Sequence, residues 1–161
     1  MIVVSDASPI INLSIIGKLG LLKDLYEKVV IPQAVFDELT VKGASQPGDQ
    51  EVRNADWIEV ISCEDTELVK RLHSEIDLGE AEAITLVLQL EAGLLLIDEK
   101  IGRSRAKAFH IKTIGLLGML IECKHRGWVT SVTALMDRLR SEANFRIGEG
   151  LYEEVRQIVG E

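Results

Sequence analysis

Apolar positions along the chain fall into two kinds of run. Ile2-Val3-Val4, Val29-Val30-Ile31 and Leu94 to Ile97 are short and continuous, and each stops at polar residues or proline. That is the profile of strands buried on both faces. Trp57 to Ile61 alternates apolar with polar and predicts an edge strand, and Ile111 to Ile114 predicts a fifth. Between the strands, apolar residues recur at helical spacing. Pro9 opens a helix through Ile10, Ile11, Leu13 and Ile16 that Gly17 ends, and Leu19 to Tyr26 is a second. Pro32 opens another through Val35, Phe36 and Leu39. Further helices are expected over 64–76, over 80–91 with Gly93 as its stop, over 100–109, and over 116–126, 132–140 and 149–159; residues 42–50 read as loop. Strands alternating with helices predict an α/β fold of three layers, a central, mostly parallel sheet of four to five strands flanked by helices. With 161 residues and no repeat or linker, one domain over 1–161 is expected, closing in a helical segment over 116–161.

Composition narrows the function classes. A hydrophobic share of 47% and a charged share of 27% exclude disorder, collagen and coiled coil as readings of the whole chain. Aromatics at 4% argue against a nucleic-acid binder built on base-stacking platforms. The net charge of −8 excludes a wholly basic DNA-coating protein. Charge is nevertheless divided. Residues 1–99 carry 7 basic and 19 acidic groups, and residues 100–161 carry 11 and 7. Such a split hints at an anionic partner meeting one face. Cys63 and Cys123 make neither a metal spacing nor a disulfide framework, and are expected as thiols in a reducing cytosol. Without a secretory leader or an apolar run near the roughly 20 residues of a membrane span, the chain reads as cytoplasmic and free of the membrane.

The placement of the acids carries more information than their number. In open α/β sheets, ligands bind beyond the carboxyl ends of the strands. Asp6 follows the first strand and Asp98 the fourth, Glu38 lies in the helix after the second, and Glu80 and Glu82 open the helix leading to the fourth. Each has an ordinary alternative. Asp6 suits a helix N-cap, Glu38 a solvated helix face, Glu80 and Glu82 the helix dipole, and Asp98-Glu99 a turn. Glu38 and Glu82, however, sit among apolar neighbours, where an unpaired acid is costly. Carboxylates pressed together repel and shift toward the neutral form, and a divalent cation reverses this. Oxygen-only ligands suit Mg²⁺ or Mn²⁺, which commonly assist phosphodiester displacement by activating a water.

Four stretches resemble the acidic motifs of PIN-domain nucleases: Val4 to Leu13, Ile31 to Leu39, Gly79 to Ile84 and Leu95 to Glu99. Thr113 to Leu117 and Asn144 to Ile147 resemble a prokaryotic subgroup related to VapC-type toxins. The resemblance implies a metal-dependent ribonuclease with Asp6, Glu38, Glu82 and Asp98 as catalytic acids and Mg²⁺ or Mn²⁺ ligands, and Ser8 in support. It also implies a homodimer and, for a toxin, a small antitoxin partner. The third motif offers Glu80 beside Glu82 and the fourth Glu99 beside Asp98, so these assignments stay open. Glu82 is favoured because the residues that follow it match the family's helix.

Residues 100–146 hold 10 basic groups against 3 acidic ones. Lys100 and Arg103, directly after the fourth motif, are the expected RNA-phosphate contacts, with a solvated helix face as the plain alternative. A PIN-like module that binds RNA or protein without catalysis is the competing reading. A haloacid-dehalogenase-like phosphatase needs an Asp where Ser8 stands, and the receiver pattern of a third-strand Asp with a fifth-strand Lys is missing.

Overall fold

The computed structural model describes residues 1–161. β1 (Val3–Ser5) leads into α1 (Ala7–Ile15) and α2 (Gly20–Tyr26), and β2 (Val29–Pro32) into α3 (Gln33–Asp37). The last continues as a wider π-helical turn over Glu38–Lys42, followed by α4 (Asp49–Asn54). Next come β3 (Ile58–Ile61), α5 (Thr66–His73), α6 (Leu78–Leu90), β4 (Leu94–Leu96), α7 (Lys100–Ala108) and β5 (Thr113–Ile114). Three helices close the chain: α8 (Leu116–His125), α9 (Val132–Glu142) and α10 (Glu149–Ile158).

The strands form one all-parallel sheet in the order β3-β2-β1-β4-β5. Period-two geometry sends alternate side chains to opposite faces. Val3, Val29, Ile31, Leu94 and Leu96 therefore pack against α1, α2 and the C-terminal helices, while Val4, Val30, Leu95 and Ile97 pack against α5, α6 and α7. The three-layer α/β architecture follows from this double burial.

The chain builds outward from β1 to β2 and β3, then crosses back to lay β4 on the other side of β1. That reversal opens a crevice at the carboxyl ends of β1 and β4. Ser5 pairs with Leu96, and the Asp6 N–H donates to the Leu96 carbonyl at 2.9 Å. Asp6 and Asp98 thus leave adjacent strands at one place.

Two local expectations are corrected. Residues 49 and 50, expected within the loop, begin α4. This short polar helix buries only Asp49 and Val52 and so has no apolar stripe to reveal it. Its start is set by Gly48 at φ 104° and by Glu51, whose carboxylate accepts from the Gly48 N–H at 2.7 Å. Gly93 does not stop α6; Glu91 does, in the left-handed conformation. Gly93 instead allows close approach of Met1, since a Cβ there would lie 2.5 Å from Met1 Cγ. No helix is long and apolar enough to cross a membrane.

Candidate active site

The crevice opens into a cavity of about 770 Å³ whose lining includes seven acids: Asp6, Glu38, Asp77, Glu80, Asp98 and Glu99 near the strand ends, and Glu154 on α10. Each arrives by a local device. Asp6 occupies the N-cap position of α1, but its side chain makes no capping hydrogen bond. It is 6% exposed, so the plain capping role is not what holds it there. Glu38 begins the π-helical turn, where the Gly43 N–H reaches back five residues to the Glu38 carbonyl at 2.9 Å. Such widened turns recur at functional sites.

Asp77 and Glu80 form a capping box at the start of α6. The Glu80 N–H donates to Asp77 Oδ1 at 2.8 Å, and the Asp77 N–H to Glu80 Oε2 at 3.3 Å. Asp98 Oδ1 accepts from the Leu116 N–H at 2.9 Å, which ties it to the start of α8. Its Oδ2 is buried and has no partner. Glu99 is exposed at the mouth.

Glycines make room between these groups. A Cβ on Gly79 would stand 3.5 Å from both Asp6 Oδ1 and Glu38 Oε1, so the two carboxylates converge over its bare backbone. One on Gly102 would stand 2.7 Å from Ile97 Cδ1 and 3.3 Å from Glu80 Cδ, so α7 closes on Glu80 only because that position lacks a side chain.

Electrostatics follow from the crowding. Burial, then the carboxylates of Glu80, Asp77 and Glu38, push the Asp6 carboxyl up to about 7 against the opposing Ala7 N–H. Burial and Asp77, followed by Glu99 and Glu38, raise Glu80 to about 7 despite the Asp77 N–H. Glu38 is raised by burial and Asp77, with Lys42 opposing. Asp98 is raised by burial, with the Leu116 N–H and Arg103 opposing. Four acids in one cavity therefore resist ionising unless a cation joins them.

Glu82 is the correction. Expected as a ligand, it points away from the cavity, and its Oε1 accepts from the Ala34 N–H at 2.9 Å at the start of α3. Two helical residues turn about 200°, so Glu80 and Glu82 cannot face the same side. Glu82 lines a separate hollow of about 330 Å³ with Cys63 and Lys70. Glu80, the alternative, is the acid beside Asp6. Asp77 was missed altogether, although Asp77-x-x-Glu80 is a readable capping-box signal.

Ser8 lines the cavity, and its Oγ accepts from Asn12 Nδ2 at 3.2 Å. Arg103 also lines it and faces Asp98 across Gly115, where a Cβ would lie 2.7 Å from Asp98 Oδ1 and 3.5 Å from Arg103 Nη1. Lys100 is exposed and lies outside the lining.

No three of the His, Cys, Asp and Glu side chains are already gathered tightly enough to hold an ion by themselves. The donor chemistry still fits a hard divalent cation. Every candidate is an oxygen, the buried Asp98 Oδ2 lacks a partner, and Gly79 leaves space between two carboxylates. Mg²⁺ in particular binds through one or two carboxylates and keeps its waters.

A family model described as a PIN domain matches residues 2–161. A search of curated proteins finds no match.

Proposed function

The chain belongs to the PIN-domain family, whose fold is of the nuclease type, and from that premise we propose that it is a Mg²⁺- or Mn²⁺-dependent ribonuclease acting at this cavity. The observation that carries the reading is the convergence of Asp6, Glu38, Glu80 and Asp98 at the switch point of the sheet, where burial raises all four pKa values and neighbouring carboxylates raise those of Asp6, Glu38 and Glu80 further. These four would hold the ion. When bound, the ion neutralises charge on the phosphoryl group and promotes attack by water.

The chain's own groups do the rest. Asp6 and Glu80, raised to about 7, hold protons that they would have to give up to act as ligands, so ion binding should weaken as pH falls below neutral. Asp98 holds the α8 N-terminus by one oxygen and leaves the other free for the site. The Ser8 hydroxyl already accepts from Asn12, which leaves its own proton available inside the cavity. Arg103 supplies the positive charge that a phosphate group requires beside so many acids. RNA is preferred over DNA on the motif resemblance, and the VapC-type toxin role with a small antitoxin belongs to the same reading.

Unstructured RNA and DNA oligonucleotides are incubated with Mn²⁺ or with EDTA, in parallel with Asp6→Asn. Cleavage of RNA that needs Mn²⁺ and disappears in the variant is expected; cutting that persists in EDTA would overturn the proposal. The non-catalytic binding module is favoured by one observation, the lack of three gathered ligands. It predicts RNA or protein binding with no Mn²⁺-dependent cleavage at all. Growth arrest on expression, absent for Asp6→Asn, is the corresponding check of the toxin role.

A further inference from the structure

The six carboxylates near the strand ends occupy one end of the cavity, and Glu154, exposed on α10, is the one other acid in its lining. The opposite wall is mainly apolar, made by Leu117 and Ile121 of α8, Leu151, Val155 and Ile158 of α10, and Phe145 between α9 and α10. Phe145 is the one aromatic residue in the lining. It packs partly on the core and keeps the rest of its surface toward the cavity. Arg146 follows it in the lining, and Arg103 stands at the acid end.

The segment that presents Phe145 and Arg146 is braced. Asn144 takes the left-handed conformation at φ 53°, and the Phe145 N–H returns to the Leu139 carbonyl at 3.0 Å. Arg140 donates to the Ile147 carbonyl at 2.6 Å, pairs with Glu149 at 3.1 Å, and lies 4.1 Å from the centre of the Tyr152 ring. Arg140 is therefore committed to holding the segment. Arg103 and Arg146 are in none of the nine ion pairs, although the chain carries 26 acids. A guanidinium at each end of an aromatic and aliphatic wall, Arg103 toward the acids and Arg146 beside Phe145, suits an anion joined to a flat apolar body. A nucleotide has both parts.

We propose that this wall is a nucleotide subsite in which one unstacked base of the RNA lies on Phe145, with Arg103 and Arg146 as phosphate contacts. The inference rests on the ribonuclease reading and adds to it the residues that seat the strand. Continuity of the wall with the acid cluster places the base next to the bond to be cut. A strand that must give up an unstacked base is disfavoured when paired in a duplex. The exposed Leu151 and Ile158 would also suit a second copy of the chain, whose Glu154 could meet Arg146, but such a contact leaves the acid end of the cavity and Arg103 without a role, whereas a strand running from the wall to the acids uses both.

The test measures binding in EDTA at low salt, by anisotropy, of a labelled unstructured RNA 12-mer, the same 12-mer annealed to its complement, and versions bearing single abasic sites. Phe145→Leu keeps the apolar packing, and it is expected to weaken the single strand by about tenfold, the usual worth of one aromatic stack. Phe145→Tyr is expected to restore binding. Arg146→Gln should weaken binding and lower the salt slope by about one. An abasic substitution that weakens the parent should have no effect in Phe145→Leu. Parent-like binding by Phe145→Leu overturns the subsite, as does a duplex bound equally well. A change in mass by light scattering, with RNA affinity intact, assigns the wall to an interface between copies and also overturns it. The two readings fail separately. Asp6→Asn should still bind but not cut. Cleavage by the parent with no effect of Phe145→Leu removes the subsite alone, whereas loss of binding in Phe145→Leu without any parent cleavage removes the ribonuclease alone.

Discussion

Two places in the molecule bring carboxylates to helix N-termini, and they end with opposite electrostatics. At the start of α9, the Glu161 side chain accepts from the Val132 N–H at 2.8 Å, the Thr133 N–H at 2.9 Å and the Ser131 hydroxyl at 2.9 Å, with Lys124 Nζ 3.2 Å away. Burial works to raise its pKa, yet those donors outweigh burial and hold the carboxyl far below the usual range. At the starts of α1 and α6, Asp6 and Glu80 are pushed up to about 7. Asp6 is buried and Glu161 half-buried, and burial pushes both carboxyls upward, so its direction does not separate them. The supply of donors does. Glu161 is satisfied and structural, whereas the cavity acids face one another with their charge unanswered.

The sharpest division lies inside one helix. Glu80→Gln should lower Mn²⁺-dependent cleavage at least about a hundredfold, because even outer partners of metal ligands cost about 10–100-fold. Glu82→Gln should cut RNA at close to the parental rate, since its carboxylate serves the Ala34 N–H. Steady-state rates on one labelled RNA decide it. Equal losses in the two variants would break the contrast between acids turned into the cavity and acids turned to backbone donors.

Stability gives the next largest contrast. Saturating Mn²⁺ at about 100 times its dissociation constant should stabilise the fold by about 2.7 kcal/mol, about 5–10 °C for a chain of this size. Asp6→Asn should lose that gain and melt higher than the parent in EDTA, because it removes a buried charge without a partner. The pH dependence has a definite sign. The folded Asp6 carboxyl titrates near 7 and the unfolded one near its ordinary 3.8, so the folded state holds the proton more tightly. This contribution is complete below about 4 and is lost as pH rises through 7. Glu161 is the reverse: its contribution is present above the unfolded value and lost as pH falls into the acid range. Melting in EDTA from pH 3 to 8 should show both limbs, the neutral one flattened in Asp6→Asn and the acid one in Glu161→Gln.

Glu161→Gln alone should destabilise the fold by about 1–3 kcal/mol, the cost of weakening a half-buried, charge-assisted set of hydrogen bonds. Its cleavage rate should not change. Thermal melts beside rate measurements check this, and an equal loss of activity would tie the C-terminal cap to the cavity.

The strands were legible because buried parallel strands are continuous apolar runs, and Asp6 and Asp98 were legible because each directly follows one. Glu38 was legible from its apolar neighbours, but the widened turn it begins was not, since that turn depends on bonding from Gly43 five residues on. Glu82 was favoured over Glu80 because the residues after it match the family's helix, and that match does not say which way the side chain turns; the fold puts Glu80 in the cavity and Glu82 outside it. The distinguishing fact was angular, and the capping box from Asp77 would have supplied it. Phe145 and Arg146 lie more than 45 residues beyond Asp98, and only the packing of α8 and α10 brings them to the same cavity.

Gly79 offers the smallest and most specific test. Its position in α6 is ordinary helix, and an added Cβ would meet Val35 Cγ2 at 3.4 Å and the Asp6 and Glu38 oxygens at 3.5 Å, all at normal contact distance. Gly79→Ala should therefore fold without strain. It should gain up to about 0.5–1 kcal/mol from the lower backbone entropy of its unfolded chain. The same methyl occupies the gap between two carboxylates that the proposed ion has to enter, so Mn²⁺ affinity and cleavage should fall severalfold while the melting temperature in EDTA holds or rises. Stability and function then move in opposite directions at one atom. A variant that is stabilised and cuts RNA like the parent would mean that the space over Gly79 serves helix packing, not a cation.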